Sequence, residues 1–318
     1  MSKRSIISVA LIVTQLPLGF QSGGKALSQE VELPWGAIAC RPTAVDKCPK
    51  TVQPIHPSDQ GTTRIVDAIG KVRLGEMPWM VAIGQYSDSK DLTKKKDFTL
   101  KCGGSLINPH WVLTAAHCPI QAEFVVVAGR LNLTTRDGNE AEVGEVVPWD
   151  FDSKLFKHDL ALVHLKSPLN YPIIPLNQTP DFGKLGRDTV RIAGWGSTSN
   201  KQPPSPDLLY TDIGTIEKPI CDKLYNDYDH ETVVPTGSFC AIGLGPSIPA
   251  NDNHVADSCL GDSGGPAMGL AGDVPGNLVG VVSWGIGCGT AALPGVYAAV
   301  AEAIPWIKGE LRKYHDTL

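Results

Sequence analysis

From Trp79 onward, the apolar residues of this chain fall in short runs separated by turn-forming residues. The runs are "WMVAIG" (79–84), "GGSLI" (103–107), "FVVVAG" (124–129), "LALVHL" (160–165), "VRIAGW" (190–195), "NLVGVVSW" (277–284) and "GVYAAV" (295–300). Runs this short, rich in β-branched residues and spaced this regularly, predict the strands of a closed antiparallel barrel or a sandwich. Only "AEAIPWIKGELRKY" (301–314) carries helical spacing. There Ala303, Trp306, Ile307 and Leu311 are expected to share one face, with Pro305 inside the first turn. No internal repeat is visible. The pattern therefore predicts an all-β protein closed by a single C-terminal helix.

The amino-terminal part has a different texture. Lys3 and Arg4 precede an apolar run, "IISVALIVTQLPLGF", too short and too interrupted to cross a bilayer. Small residues at Gly24-Lys25-Ala26 complete the pattern of a signal peptide over residues 1–26. Residues 27–64 are Pro-rich and aperiodic, and read as a mostly irregular pro-segment. The main domain is assigned to 65–318. No later segment reaches transmembrane length.

Composition narrows the function classes. The formal net charge is −5, which argues against nucleic acid or an anionic membrane as partner. The 8 cysteines of an exported chain predict four disulfides and a secreted location, extracellular or periplasmic. None lies in a C-x-x-C pair, so no zinc site is expected.

Three segments carry candidate chemistry: "TAAHC" with His117, "HDLAL" with Asp159 and "GDSGGP" with Ser263. A serine hydroxyl is a poor nucleophile until a base takes its proton, and that base needs a third group to fix its tautomer. The chain holds one of each, every one beside an apolar strand. With "CGGSLI", "GWG" and "SWG", residues 65–318 resemble the chymotrypsin/trypsin family of serine proteases over essentially their whole length.

The resemblance implies two six-stranded antiparallel β-barrels with a C-terminal α-helix and a cleft between the barrels. It implies that His117 is the general base, that Asp159 orients it and that Ser263 attacks the scissile carbonyl. The backbone N–H groups of Gly261 and Ser263 would form the oxyanion hole. Asp257, six residues before the nucleophile, would floor a primary pocket selective for Arg or Lys. Ser283-Trp284-Gly285 and Gly295 would wall that pocket, and Ser283 to Gly285 would also pair with the substrate backbone as a short strand. Cleavage in "TTR-IV" between Arg64 and Ile65 would free an ammonium group to pair with Asp262 and order the site. The family's usual glycines after that point are replaced here by "DAI", and Asp67 and Ala68 should stiffen the hinge.

The same resemblance implies the pairs Cys102–Cys118, Cys221–Cys240 and Cys259–Cys288, leaving Cys40 with Cys48 inside the pro-segment. In the loop "RLNLTTRDGNE", Arg130 stands where calcium-binding members carry a carboxylate, so an Arg130–Glu140 pair is expected in place of the ion. No cofactor and no metal is expected. The segment between Cys240 and Asp257 is long for the family. Lys94, Lys95 and Lys96 read as a solvated insertion, and Asn132 and Asn177 open N-x-T sequons.

The expected activity is that of a secreted zymogen, a monomer cleaving proteins or peptides after Arg or Lys and open to protein inhibitors. The alternatives are a catalytically silent homologue serving as a regulatory binding module, and an active protease whose pocket has shifted to apolar residues.

Overall fold

The computed structural model describes residues 31–32, 38–39, 70–87, 97–184, 186–197, 203–243, 257–258, 261–287 and 293–318. The signal peptide, nearly all of the pro-segment, Arg64, Ile65, Asp67, Ala68, Lys94 to Lys96, the long 244–256 segment, and Cys40, Cys48, Cys259 and Cys288 lie outside them.

The predicted double barrel is present. The first barrel closes through six antiparallel strands: β4 (Met80–Tyr86), β5 (Phe98–Asn108), β6 (Trp111–Thr114), β7 (Val125–Ala128), β8 (Asn139–Pro148) and β9 (Ala161–Leu165), in the order β4-β5-β6-β9-β8-β7. The second runs β10-β13-β14-β15-β12-β11 and closes by β10 pairing with β11. Its strands are β10 (Thr189–Gly194), β11 (Leu209–Ile216), β12 (Ser238–Gly243), β13 (Pro266–Ala271), β14 (Val274–Trp284) and β15 (Gly295–Ala299). A two-residue strand, β3 (Gly70–Lys71), adds to β11, and β1 (Val31–Glu32) pairs with β2 (Ile38–Ala39) near the amino terminus.

Each barrel has its own apolar filling. Val81, Ile83, Leu106, Val112, Val126 and Val163 fill the first, and Val190, Ile192, Ile213, Phe239, Val279 and Tyr297 the second. A third cluster forms the seam. Trp111, Leu113 and Leu162 meet Met268, Leu278 and Val281 across it. The strands were predicted from runs such as "FVVVAG" because alternate faces point into a barrel interior and into this seam, and both are dry.

The C-terminal helix, α2 (Val300–Lys313), starts earlier than its spacing suggests, so Pro305 sits in the second turn on an exposed face. Ala303, Ile307 and Leu311 are buried as expected, joined by Val300 and Ile304. Trp306 is only half-buried, at the helix shoulder. A second helix, α1 (Lys218–Tyr228), was not expected. It buries Cys221 and Tyr225, one turn apart, and Pro219 fits its first turn. Beyond α2 the tail returns to the first barrel: Trp111 Nε1 donates to Asp316 Oδ2 (2.8 Å), Asn108 Nδ2 donates to the Thr317 carbonyl (2.9 Å), and the Tyr314 hydroxyl bonds Glu145. Among the described residues, no helix is long and apolar enough to cross a membrane.

Candidate active site

Two of the implied disulfides are formed, Cys102–Cys118 and Cys221–Cys240, with Cα separations of 6.2 and 6.4 Å. The first ties β5 to the residue after His117. His117 leaves the end of β6, and Asp159 lies just before β9, the strand paired with β6. Their approach is therefore dictated by the ladder. Asp159 is fully buried, and its carboxylate is held from three sides. Oδ1 accepts the His117 backbone N–H at 2.9 Å, Oδ2 lies 2.7 Å from His117 Nδ1, and the Ser283 hydroxyl donates to Oδ2. An ionised carboxylate only accepts, so the proton between ring and carboxylate sits on Nδ1. With the ring neutral, Nε2 would be its acceptor.

Ser263 lies across the cleft in a turn from the second barrel, half-buried. The turn docks directly on the first barrel: Gly103 N–H donates to the Ser263 carbonyl at 2.8 Å. Its glycines are there by steric need. Gly264 has φ +78, and a Cβ on it would sit 2.1 Å from Thr114 Oγ1 and 2.6 Å from the Gly103 carbonyl. Thr114 is three residues before His117, so the missing side chain lets the serine turn seat against the segment that carries the base. Gly261 has φ +100, which a residue with a Cβ seldom adopts.

Asp262 points the other way, into the second barrel, and is buried. Its Oδ1 accepts the Gly196 N–H at 2.8 Å. A Cβ on Gly194 would lie 2.0 Å from Oδ1, and one on Gly196 would lie 2.4 Å from the carboxyl carbon. The "GWG" sequence thus makes the slot for Asp262.

Asp257 is also buried, and Gly295 leaves the space in front of it: a Cβ there would lie 2.9 Å from Asp257 Oδ1. Ser258 N–H donates to the same oxygen at 2.8 Å, and the Ser258 hydroxyl lies 3.3 Å from that of Tyr297. Burial pushes the Tyr297 hydroxyl well above the ordinary tyrosine range, and the Asp257 charge pushes it further. Tyr225 is raised by the same two causes in the same order. Both tyrosines therefore stay neutral beside the carboxylate. Trp284 packs edge-on against Tyr225 with ring centroids 5.0 Å apart, and Gly285 is exposed.

Sequence reasoning missed two contributors. Ser283 was expected to wall the pocket and pair with substrate backbone, yet its side chain is the third donor to Asp159. Ser258 supplies an N–H and a hydroxyl beside Asp257. Ser283 belongs to the "SWG" motif, but nothing local tied its hydroxyl to Asp159, and the signal for Ser258 was its position next to Asp257.

The Arg130–Glu140 pair forms as expected. Arg130 Nη2 lies 2.8 Å from Glu140 Oε1, Nη1 donates to the Tyr86 hydroxyl at 3.1 Å, and Nε donates to the Asp137 carbonyl at 2.9 Å. Burial pulls this guanidinium down, but the bonds and charges of Tyr86 and Glu140 outweigh it, and the net displacement is upward. Among the described residues there is no cluster of three or more His, Cys, Asp or Glu side chains arranged to hold a metal. Of the two sequon asparagines, Asn177 is buried with its amide turned onto the Thr179 carbonyl, and Asn132 donates to Asp207.

A double barrel with a buried His–Asp pair facing a glycine-bound serine turn defines a serine-hydrolase type of architecture. The family model described as trypsin matches residues 69–307. The chain belongs to the trypsin family of serine endopeptidases. It is 34% identical to trypsin zeta of Drosophila melanogaster over 231 residues, covering 69% of this chain and 77% of that protein. It is 32% identical to kallikrein-15 of Saguinus oedipus, covering 77% and 92%, and 33% identical to kallikrein-11 of Mus musculus, covering 79% and 84%.

Proposed function

We propose that this chain is an exported zymogen which, once cut after Arg64, hydrolyses peptide bonds following Arg or Lys. The observation that carries the reading is His117 held by Asp159 through ring and backbone at once, with the turn bearing Ser263 seated against Thr114. In this reading His117 Nε2 takes the Ser263 proton as the hydroxyl adds to the scissile carbonyl. The Gly261 and Ser263 amides stabilise the resulting oxyanion, and the imidazolium returns the proton to the leaving amine. Water then attacks the acyl-enzyme by the same route.

Specificity rests on Asp257. A buried carboxylate is costly without a cation. The gap at Gly295 gives a long cationic side chain access to it, and Ser258 and Ser283 to Gly285 line the approach. Asp262 is the proposed receiver of the Ile65 ammonium, with Gly194 and Gly196 shaping its slot. Substrates are proteins or peptides, protein inhibitors can occupy the same cleft, and the enzyme acts as a monomer outside the cell membrane.

The test is turnover of single-residue amides after limited cleavage at Arg64. An arginine amide should be hydrolysed at least about 100-fold faster than a leucine amide, and Ser263→Ala should remove about 10⁴-fold or more of the rate. Equal rates on both amides would place specificity elsewhere. Full activity in the alanine variant would remove Ser263 from the mechanism.

A further inference from the structure

Among the described residues, three of the four non-glycine residues with positive φ fall in one loop, between β8 and β9 and immediately before Asp159. They are Asp150 (φ 42), Phe156 (φ 52) and His158 (φ 56). Each such residue is disfavoured by about 1 kcal/mol, so something must hold the loop there. At its base Trp149 N–H donates to the Leu160 carbonyl at 2.8 Å. Above that bond lies a stack of three rings. His158 lies on Trp149 with centroids 4.3 Å apart and planes 25° apart. Trp149 lies in turn on Trp306 of α2, at 5.9 Å and 19°.

The His158 ring is held by stacking. Its Nδ1 is buried and makes no hydrogen bond among the described residues, and the nearest carboxylate oxygen recorded, Asp150 Oδ2, is 3.9 Å away. The His158 backbone is equally committed: its carbonyl accepts the Leu160 N–H at 2.7 Å. That bond closes a three-residue bend with Asp159 at its apex. The direction of the Asp159 side chain therefore depends on the φ of His158, and the φ of His158 depends on a ring stacked on Trp149, which Trp306 backs.

We propose that Trp306, acting through Trp149 and His158, is a positioning residue for Asp159, so that the C-terminal helix sets the orientation of the general base. The proposal rests on the triad reading above. Its consequence is that loosening the stack should slow the chemical step while leaving substrate binding alone, because the Asp257 pocket is built by the other barrel.

The test uses the full-length chain after activation cleavage and a single-residue arginine amide. Trp306→Ala should lower kcat about tenfold with KM within about twofold of wild type, and Trp306→Phe, which keeps a flat ring, should recover most of the loss. Glycine adopts positive φ freely, so His158→Gly should fold and still lose kcat to a similar extent, because the ring is gone. In the proton spectrum, the low-field resonance of the His117 Nδ1 proton should broaden in both variants and sharpen again in Trp306→Phe. Kinetic constants are referred to enzyme counted by active-site titration, which removes any unfolded fraction. Unchanged kcat per titrated site in Trp306→Ala and His158→Gly would overturn the proposal, as would an undisturbed imidazole resonance. If Ser263→Ala retained wild-type activity, the triad reading would fail instead.

Discussion

In the first barrel the carboxylate of Asp159 is fixed by three donors. In the second, the turn around Ser263 is fixed by side chains that are not there. The first-barrel residues reach their places through added contacts: a hydroxyl from Ser283, a disulfide beside His117, a ring stack over His158, and a guanidinium buried against Tyr86 and Glu140. The second-barrel residues reach theirs through glycine at 194, 196, 261, 264 and 295, where any Cβ would strike a neighbour or meet an unfavourable φ. The difference follows from what each half presents. A base must be aimed, and aiming takes partners. On the proposed reading, the oxyanion hole and the pocket must be empty, and emptiness takes glycine.

The two strategies fail differently under mutation. Filling a required void should cost most. Gly264→Ala puts a methyl 2.1 Å from Thr114 Oγ1 at a positive φ, and should reduce kcat/KM by about 10³-fold or prevent folding. By contrast, Asp150→Gly in the first-barrel loop should leave the melting temperature within about 2 °C of wild type, because φ 42 already suits glycine. Thermal melts and amide kinetics on the pair check this. A benign Gly264→Ala would show that the second barrel yields where its geometry says it cannot.

Removing the pocket charge comes next. Asp257→Ser should cut the preference for arginine over leucine amides by about 10²- to 10³-fold, because a guanidinium would enter without its counter-charge. A preserved preference in kcat/KM would show that another group reads the cation.

A subtraction in the first barrel should be felt as stability. Arg130→Met removes a buried guanidinium that bonds Glu140, Tyr86 and the Asp137 carbonyl, and leaves the Tyr86–Glu140 hydrogen bond without its charge partner. It should lower the melting temperature by about 5–10 °C with kcat little changed. A change below about 1 °C would mean that the pair is replaceable by solvent.

The smallest effect concerns His164, which lies against Trp111 and Tyr314 with ring centroids 4.6 and 4.5 Å apart. Burial holds its pKa below the ordinary histidine value, and His110 adds to the depression, while Asp316 and Glu145 oppose it. The unfolded chain thus binds this proton more readily than the folded one. Stability is fully present above the unfolded value of about 6.5 and is lost as the pH falls from there through the lower folded value. Differential scanning calorimetry should show the melting temperature of His164→Gln falling less than that of wild type across this window, by about 1–2 °C. Identical slopes would assign the acid sensitivity to other groups.

What the sequence disclosed follows from which residues face dry surfaces. β7 and β9 were legible because nearly every position is apolar and buried. β8 was not: of Asn139–Pro148 only Ala141 and Val143 are buried, and Glu140, Glu142 and Glu145 interrupt the run. β13 was missed because it opens on Pro266, the last residue of the serine motif, and Gly269 interrupts its short apolar run. α1 buries only Cys221 and Tyr225, too sparse a stripe to read against its charged residues. The His117, Asp159 and Ser263 segments stood out because each is a compact motif. The Ser283 bond to Asp159 spans 124 residues, and the stack joins Trp149 to Trp306. Contacts of that separation leave no local periodicity.

The tail beyond α2 has a thermodynamic meaning. The helix leaves the second barrel at β15, yet the chain ends on the first, through Trp111, Asn108 and Glu145. Leu311 and Ile307 join the seam cluster on the way. Neither barrel can melt without exposing the seam and releasing this strap, so the two should denature as one cooperative unit. Calorimetric and van't Hoff enthalpies should then agree for the intact chain. Deleting residues 314–318 should split the single endotherm into two overlapping ones, the first barrel and the second each reporting its own melting point.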